Sequence, residues 1–159
     1  MNDRFTEKAR NAIEKARAAA MELGHSYIGT EHLLLGIVRE SDGLGSRVLR
    51  ENGFEEDLVL DLIEKAVGRG APGMPVQGLT PRCKRVIEIA VAEANRLRHS
   101  YVGTEHLLMG ILREPESTAA HLLITAGGDL NKIYTDVFAR FTSSDYRAAA
   151  RSGGVGQRA

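Results

Sequence analysis

The residue types best suited to chemistry occur in two identical sets. Glu31-His32 and Glu105-His106 each place a carboxylate beside an imidazole, and His25 and His99 stand seven residues ahead of each paired histidine. A carboxylate with an imidazole could serve acid–base catalysis or hold a metal ion. Adjacent residues on a helix point about 100° apart, however, so neither pair converges on one ion or one proton. Position-by-position duplication also argues against a single asymmetric catalytic centre. The histidines read better as partly buried hydrogen-bonding groups that tie a loop to the helix after it, and a metal-dependent or acid–base enzyme is kept as the enzymatic alternative. Cys83, the one cysteine, lies on the apolar stripe of a helix and reads as a small buried hydrophobe. The chain has no G-x-x-x-x-G-K-[ST] phosphate loop, no G-x-S-x-G elbow, and no C-x-x-C or H-E-x-x-H pair. No catalytic residue, metal or cofactor is therefore expected.

The elements that must position these residues are duplicated as well. Residues 25–40 read HSYIGTEHLLLGIVRE and residues 99–114 read HSYVGTEHLLMGILRE, identical at 13 of 16 positions with an offset of 74. The register extends outward: Thr6 falls on Thr80, Ala9 on Cys83, Ile13 on Ile87, Leu49 on Leu123, Gly53 on Gly127 and Val67 on Phe141. This is a small domain written twice. Each copy predicts four helices. The first runs roughly from Thr6 to Leu23, with Ala9, Ile13, Ala16, Ala20 and Leu23 at helical spacing, and is matched by Cys83, Ile87, Ala90, Ala94 and Leu97. Thr6 and Thr80 are natural N-caps, and Pro81 suits a first helical position. The second helix is expected to start with Thr30 and Thr104 as N-caps, placing Glu31 and Glu105 in the first turn where the helix dipole favours negative charge. A short third helix spans about Gly45 to Glu51 before the stop signal Asn52-Gly53, and a fourth about Glu56 to Val67. No stretch sustains period-two alternation. The expected fold is all-α, with two tandem four-helix repeats packed as one pseudo-twofold domain over residues 1–142. Repeat 1 covers about 5–67, a Gly/Pro-rich connector 68–78, and repeat 2 about 79–142. Residues 143–159 carry no apolar periodicity and read as a disordered tail or linker.

Composition narrows the function. Of 159 residues, 21 are Lys or Arg and 21 Asp or Glu, so the formal net charge is zero, without the basic surplus of a dedicated nucleic-acid binder. Lys84-Arg85 and Arg96-Leu97-Arg98 fit the solvated side of amphipathic helices. A lone cysteine excludes an internal disulfide framework. The N-terminus has mixed charge and no apolar core, and no run approaches the roughly 18 apolar residues of a membrane span. A cytoplasmic protein, monomeric in isolation, is expected.

With these motifs placed, the chain resembles the N-terminal domain of Clp/Hsp100 AAA+ unfoldases, most nearly the ClpC type. The resemblance is carried by RFTEKA at residues 4–9, LGHSYIGTEHLLLGIVRE at 23–40, LTPRCKRVIEIA at 79–90 and RHSYVGTEHLLMGILRE at 98–114, and it covers about residues 1–142. It implies a pair of four-helix repeats that recruit adaptor proteins and clients and pass them to an ATP-driven ring and its protease. It further implies two docking sites for phosphoarginine, with Glu31 and Glu105 gripping the guanidinium and Thr6 and Thr80 near the phosphate. The chemistry agrees, since a phosphoguanidinium needs a carboxylate for its planar fork and helix-terminal N–H groups for its phosphate. The family's Gly-rich G-E-G-V-A segment after the second helix is replaced by Ser41-Asp42-Gly43-Leu44-Gly45 and Pro115-Glu116-Ser117-Thr118-Ala119, which alters adaptor surfaces and small-molecule contacts. The function expected is non-catalytic recognition of adaptors and arginine-phosphorylated clients. The alternative is a stand-alone copy of the domain acting as accessory factor or decoy for the Clp protease.

Overall fold

The computed structural model describes residues 3–142 and Tyr146. Among them run eight helices: α1 (Glu7–Leu23), α2 (Thr30–Arg39), α3 (Leu44–Glu51), α4 (Glu56–Val67), α5 (Pro81–Arg96), α6 (Thr104–Leu112), α7 (Thr118–Thr125) and α8 (Leu130–Arg140). The only extended pairings among the described residues are two isolated parallel bridges, Phe5 with Val102 and Ile28 with Leu79. The fold is all-α, as its periodicity predicts.

α1 begins at Thr6, whose hydroxyl accepts the Ala9 N–H at 3.0 Å, and ends at Gly24, whose φ of 74° turns the chain out of the helix. α5 repeats the start, with Thr80 accepting from Cys83 N–H at 3.0 Å and Pro81 at the first position. The buried face of α1 is mostly alanine: Ala9, Ala12, Ala16, Ala19 and Ala20. Small side chains let α2 approach its backbone. A Cβ at Gly36 would lie 2.2 Å from the Ala12 carbonyl oxygen, and one at Gly110 would lie 2.4 Å from that of Val86. The glycine in each LLLG/LLMG segment is thus a contact point between two backbones.

α2 and α6 are apolar nearly all round, which suits helices at the centre of a bundle. Leu33, Leu34, Leu35 and Ile37 are buried, as are Leu107, Leu108, Met109 and Ile111, and one continuous core draws on both repeats.

The start of α2 differs from expectation. Its N-cap is Gly29, not Thr30, and that of α6 is Gly103, not Thr104. His32 and His106, not a hydroxyl, complete these caps by accepting the N-cap amide. The threonines, now inside the first turn, reach across the pseudo-twofold axis. Thr30 Oγ1 accepts the Ala119 N–H at the start of α7, and Thr104 Oγ1 accepts the Gly45 N–H at the start of α3, both at 3.0 Å. Each repeat therefore caps the third helix of the other. The bridges act likewise: Thr6 N–H donates to Val102 O at 3.0 Å, and Thr80 N–H to Ile28 O at 2.9 Å. The expected disordered tail lies outside the described residues, except for Tyr146, which is packed against the second repeat.

Candidate functional site

The swapped bridges decide which residues meet. Because Thr80 N–H bonds to Ile28 O, the start of α5 lies beside the start of α2, and a cleft of about 440 Å³ opens between them. Glu31, Thr80, Arg82, Glu116, Thr118 and Tyr27 all line it. Glu31 of repeat 1 is thus joined to Thr80 of repeat 2. The mirror arrangement places Thr6 next to the strand of chain entering α6, where Glu105 sits within the field of Lys8. Of the four residues expected from sequence, Glu31 and Thr80 line one cleft across the repeats, and Thr6 is bonded to Val102, three residues before Glu105.

The carboxylates are aimed by glycine. A Cβ on Gly29 would fall 2.5 Å from Glu31 Oε1, and one on Gly103 would fall 2.5 Å from Glu105 Oε1. Without those side chains, each carboxylate folds over the N-terminus of its own helix, where the partial positive charge favours it. In the first cleft the starts of α2, α5 and α7 converge, since Thr30, Thr80 and Thr118 share its lining. Three helix N-termini supply a positive field for an anion, and Arg82 adds a formal charge; its guanidinium is held by Glu114 at 2.6 Å. Glu31 and Glu116 supply the opposite sign. The cleft can hold a group that is cationic at one end and anionic at the other.

Charge effects trace the same geometry. Burial, and then the negative charge of Glu31, push the Cys83 thiol up to about 12. Cys83 is fully buried, so it is the inert hydrophobe its helical position suggests. Burial raises the Glu105 carboxyl above the usual carboxylate range, opposed by its own amide, by the Tyr146 hydroxyl and by Lys8.

The histidines form a hydrogen-bonded chain of their own, of which His25 and His32 also stand in the wall of the cleft. Gly29 N–H can only donate, so His32 Nδ1 accepts it, at 2.8 Å. The proton of neutral His32 is then on Nε2 and is donated to His25 Nδ1 at 2.8 Å, and His25 Nε2–H donates to Gly68 O at 2.8 Å. Repeat 2 has the same chain from Gly103 N–H to His106 and on to His99, at 2.9 and 2.8 Å. Each glutamate leaves its neighbouring histidine for the cleft, so the Glu-His pairs are not dyads. Among the described residues, no group of three or more His, Cys, Asp or Glu side chains is placed to hold a metal ion.

Lys8 and Arg82 belong to no motif that marks them as site residues, although both stand two residues after a capping threonine at the 74-residue offset. Glu116 and Thr118 read in sequence only as departures from a motif, and Tyr146 reads as part of the tail.

Residues 4–135 match the Clp repeat (R) N-terminal domain family. The chain is 42% identical over 159 residues to the chaperone protein ClpB of Oceanobacillus iheyensis, covering 99% of this chain and 19% of that protein. It is 41% identical over 150 residues to the negative regulator of genetic competence ClpC/MecB of Bacillus subtilis, covering 94% of this chain and 18% of that one. The chain thus spans less than a fifth of these relatives. Among solved structures, the N-terminal domain of ClpD from Arabidopsis thaliana superposes with a TM-score of 0.74 at 23% identity, covering 88% of this chain and 99% of that one. The ClpV N-domain in complex with a VipB peptide superposes at 0.64 and 18% identity, covering 84% and 88%. These structures share the fold.

Proposed function

The chain belongs to the Clp repeat (R) N-terminal domain family, and from that membership we propose that it is a non-catalytic recognition module of a ClpC-type protein-unfolding machine in regulated proteolysis. Its partners are adaptor proteins and client proteins marked by phosphorylation on arginine. The observation that carries this reading is the first cleft, where the Glu31 carboxylate and the Thr80-capped start of α5 line one space. A phosphoarginine side chain has the matching polarity. Its guanidinium fork can donate to Glu31, and its phosphate can face the helix starts and Arg82. Unmodified arginine lacks the second half, and a phosphorylated hydroxyl lacks the first. The cleft therefore selects the combination. A neighbour of the same fold, the ClpV N-domain, has been solved with a peptide bound, which supports peptide recognition by this scaffold. No helix among the described residues is long and apolar enough to cross a membrane.

The test is calorimetric titration with an arginine-phosphorylated peptide and its unmodified counterpart. The modified peptide is expected to bind and the unmodified one to bind far more weakly. A hydrogen bond to a charged group contributes roughly 1.5–3 kcal/mol, so Glu31→Gln should weaken the first cleft by about tenfold or more. Equal binding of both peptides, or unchanged affinity in Glu31→Gln, would refute the assignment.

A further inference from the structure

The cleft at Glu31 is open, whereas the counterparts of its Tyr27 and Glu31 in the other half of the molecule are covered. Tyr27 is 48% exposed and Glu31 is half-buried, whereas their counterparts Tyr101 and Glu105 are 8% and 7% exposed. Tyr146 accounts for the difference. Its hydroxyl donates to Glu105 Oε2 at 2.7 Å and accepts from the Tyr101 hydroxyl. Its ring centroid lies 5.1 Å from that of Phe141 and 6.2 Å from that of Tyr101. Seventy-four residues earlier stands Pro72, within the connector, so the first copy carries no equivalent phenol. Val67, the counterpart of Phe141, is left 44% exposed.

Resting on the phosphoarginine reading above, we propose that Tyr146 is an intramolecular latch on the Glu105 cleft: it occupies the carboxylate that a guanidinium would take, so that the Glu31 cleft fills first and the Glu105 cleft opens only when ligand displaces the tyrosine. The phenol is suited to a displaceable role. It offers Glu105 one donor and no charge, which compensates a buried carboxylate incompletely. A guanidinium brings a full charge and parallel donors in a planar fork. While closed, the latch also covers the apolar faces of Tyr101 and Phe141 that an empty cleft would present to water. The two docking sites of one domain thereby differ in affinity although their motifs are nearly the same.

Two readouts test the latch, one of them independent of any ligand. Nitration by tetranitromethane, followed by peptide mass spectrometry, should modify Tyr101 several-fold more slowly than Tyr27 in the intact chain and at a comparable rate in Tyr146→Ala. Equal rates in the intact chain would overturn the latch whatever the protein binds. For competition, phosphoarginine is titrated into a Glu31→Gln background, where the first cleft is weakened and a change at the second is easier to read. Tyr146→Ala should tighten binding there by about tenfold, with Tyr146→Phe, which keeps the ring and loses the donor, falling between. Unchanged affinity in Glu31→Gln/Tyr146→Ala, with binding still abolished by adding Glu105→Gln, would overturn the latch and leave the proposed function standing. Absence of phosphoarginine binding in every variant, the Tyr146→Ala protein included, would instead overturn the function and with it the competition, while the nitration rates still decide whether the tyrosine covers the cleft.

Discussion

At the scale of the residue, the histidine chains make a demand that the clefts do not. Each link works only with neutral rings. A proton on His32 Nδ1 would face the Gly29 N–H, and a proton on His106 Nδ1 would face that of Gly103. Burial, followed by the neighbouring histidine, lowers His32 to about 4 and His106 to about 3, and burial lowers His99 as well. In the unfolded chain these groups titrate near 6.5, so the unfolded state binds more protons than the native one below that pH. Their stabilisation is complete above about pH 6.5 and is lost as pH falls towards 4 and then 3, at up to about 1.4 kcal/mol per pH unit for each fully neutral imidazole. Glu105 acts in the opposite direction, since its raised carboxyl holds a proton longer when folded, but it is one group against three. The urea midpoint is therefore expected to fall between pH 7.5 and pH 5. A flat midpoint over that range would show that the rings are not held neutral.

At the scale of the element, α1 buries a face of alanines against the leucine-rich α2, and the stability of both comes from close pairing. The crossing of α1 and α2 at Gly36 is the tightest such contact, because the obstacle to a side chain is the Ala12 backbone oxygen at 2.2 Å and not a movable side chain. Gly36→Ala gains helix propensity of about 1 kcal/mol but must push two helices apart, and overpacking of this kind costs roughly 1–3 kcal/mol or more. The variant should unfold at lower urea concentration than the parent, as measured by circular dichroism. Gly53→Ala, where a Cβ would meet no atom within 4 Å but φ is 89°, provides a comparison in which only backbone strain changes.

At the scale of the whole molecule, the repeats are interlocked and not merely adjacent. Each supplies a hydroxyl that caps the other's third helix, and each lends the other a bridge partner. The core runs through both without a break. Unfolding should accordingly be a single cooperative transition, with calorimetric and van't Hoff enthalpies in agreement. Two resolved transitions would contradict the shared core. The same interlocking creates the candidate site: Glu31 and Thr80 lie 49 residues apart in sequence and in different repeats, and only the swapped bridges bring them to one cleft.

The duplicated GTEHLL segments, the alanine and leucine periodicities and the capping threonines determined the helices and the repeat without coordinates, because each is a local pattern read at helical spacing, while the four candidate residues came from the family resemblance those motifs carry. What the tertiary structure decided is every relation between the copies. A hydroxyl one residue into a helix looks like a cap in sequence, yet Thr30 and Thr104 spend theirs on another helix, since His32 and His106 already hold the N-cap amides. Two equal motifs look like two equal sites, yet Tyr146, from a stretch with no apolar periodicity, sets Glu31 and Glu105 apart. The physical reason is the same in both cases. Periodicity encodes which face of a helix is buried, whereas the partner of a polar side chain depends on what packing brings within 3 Å of it.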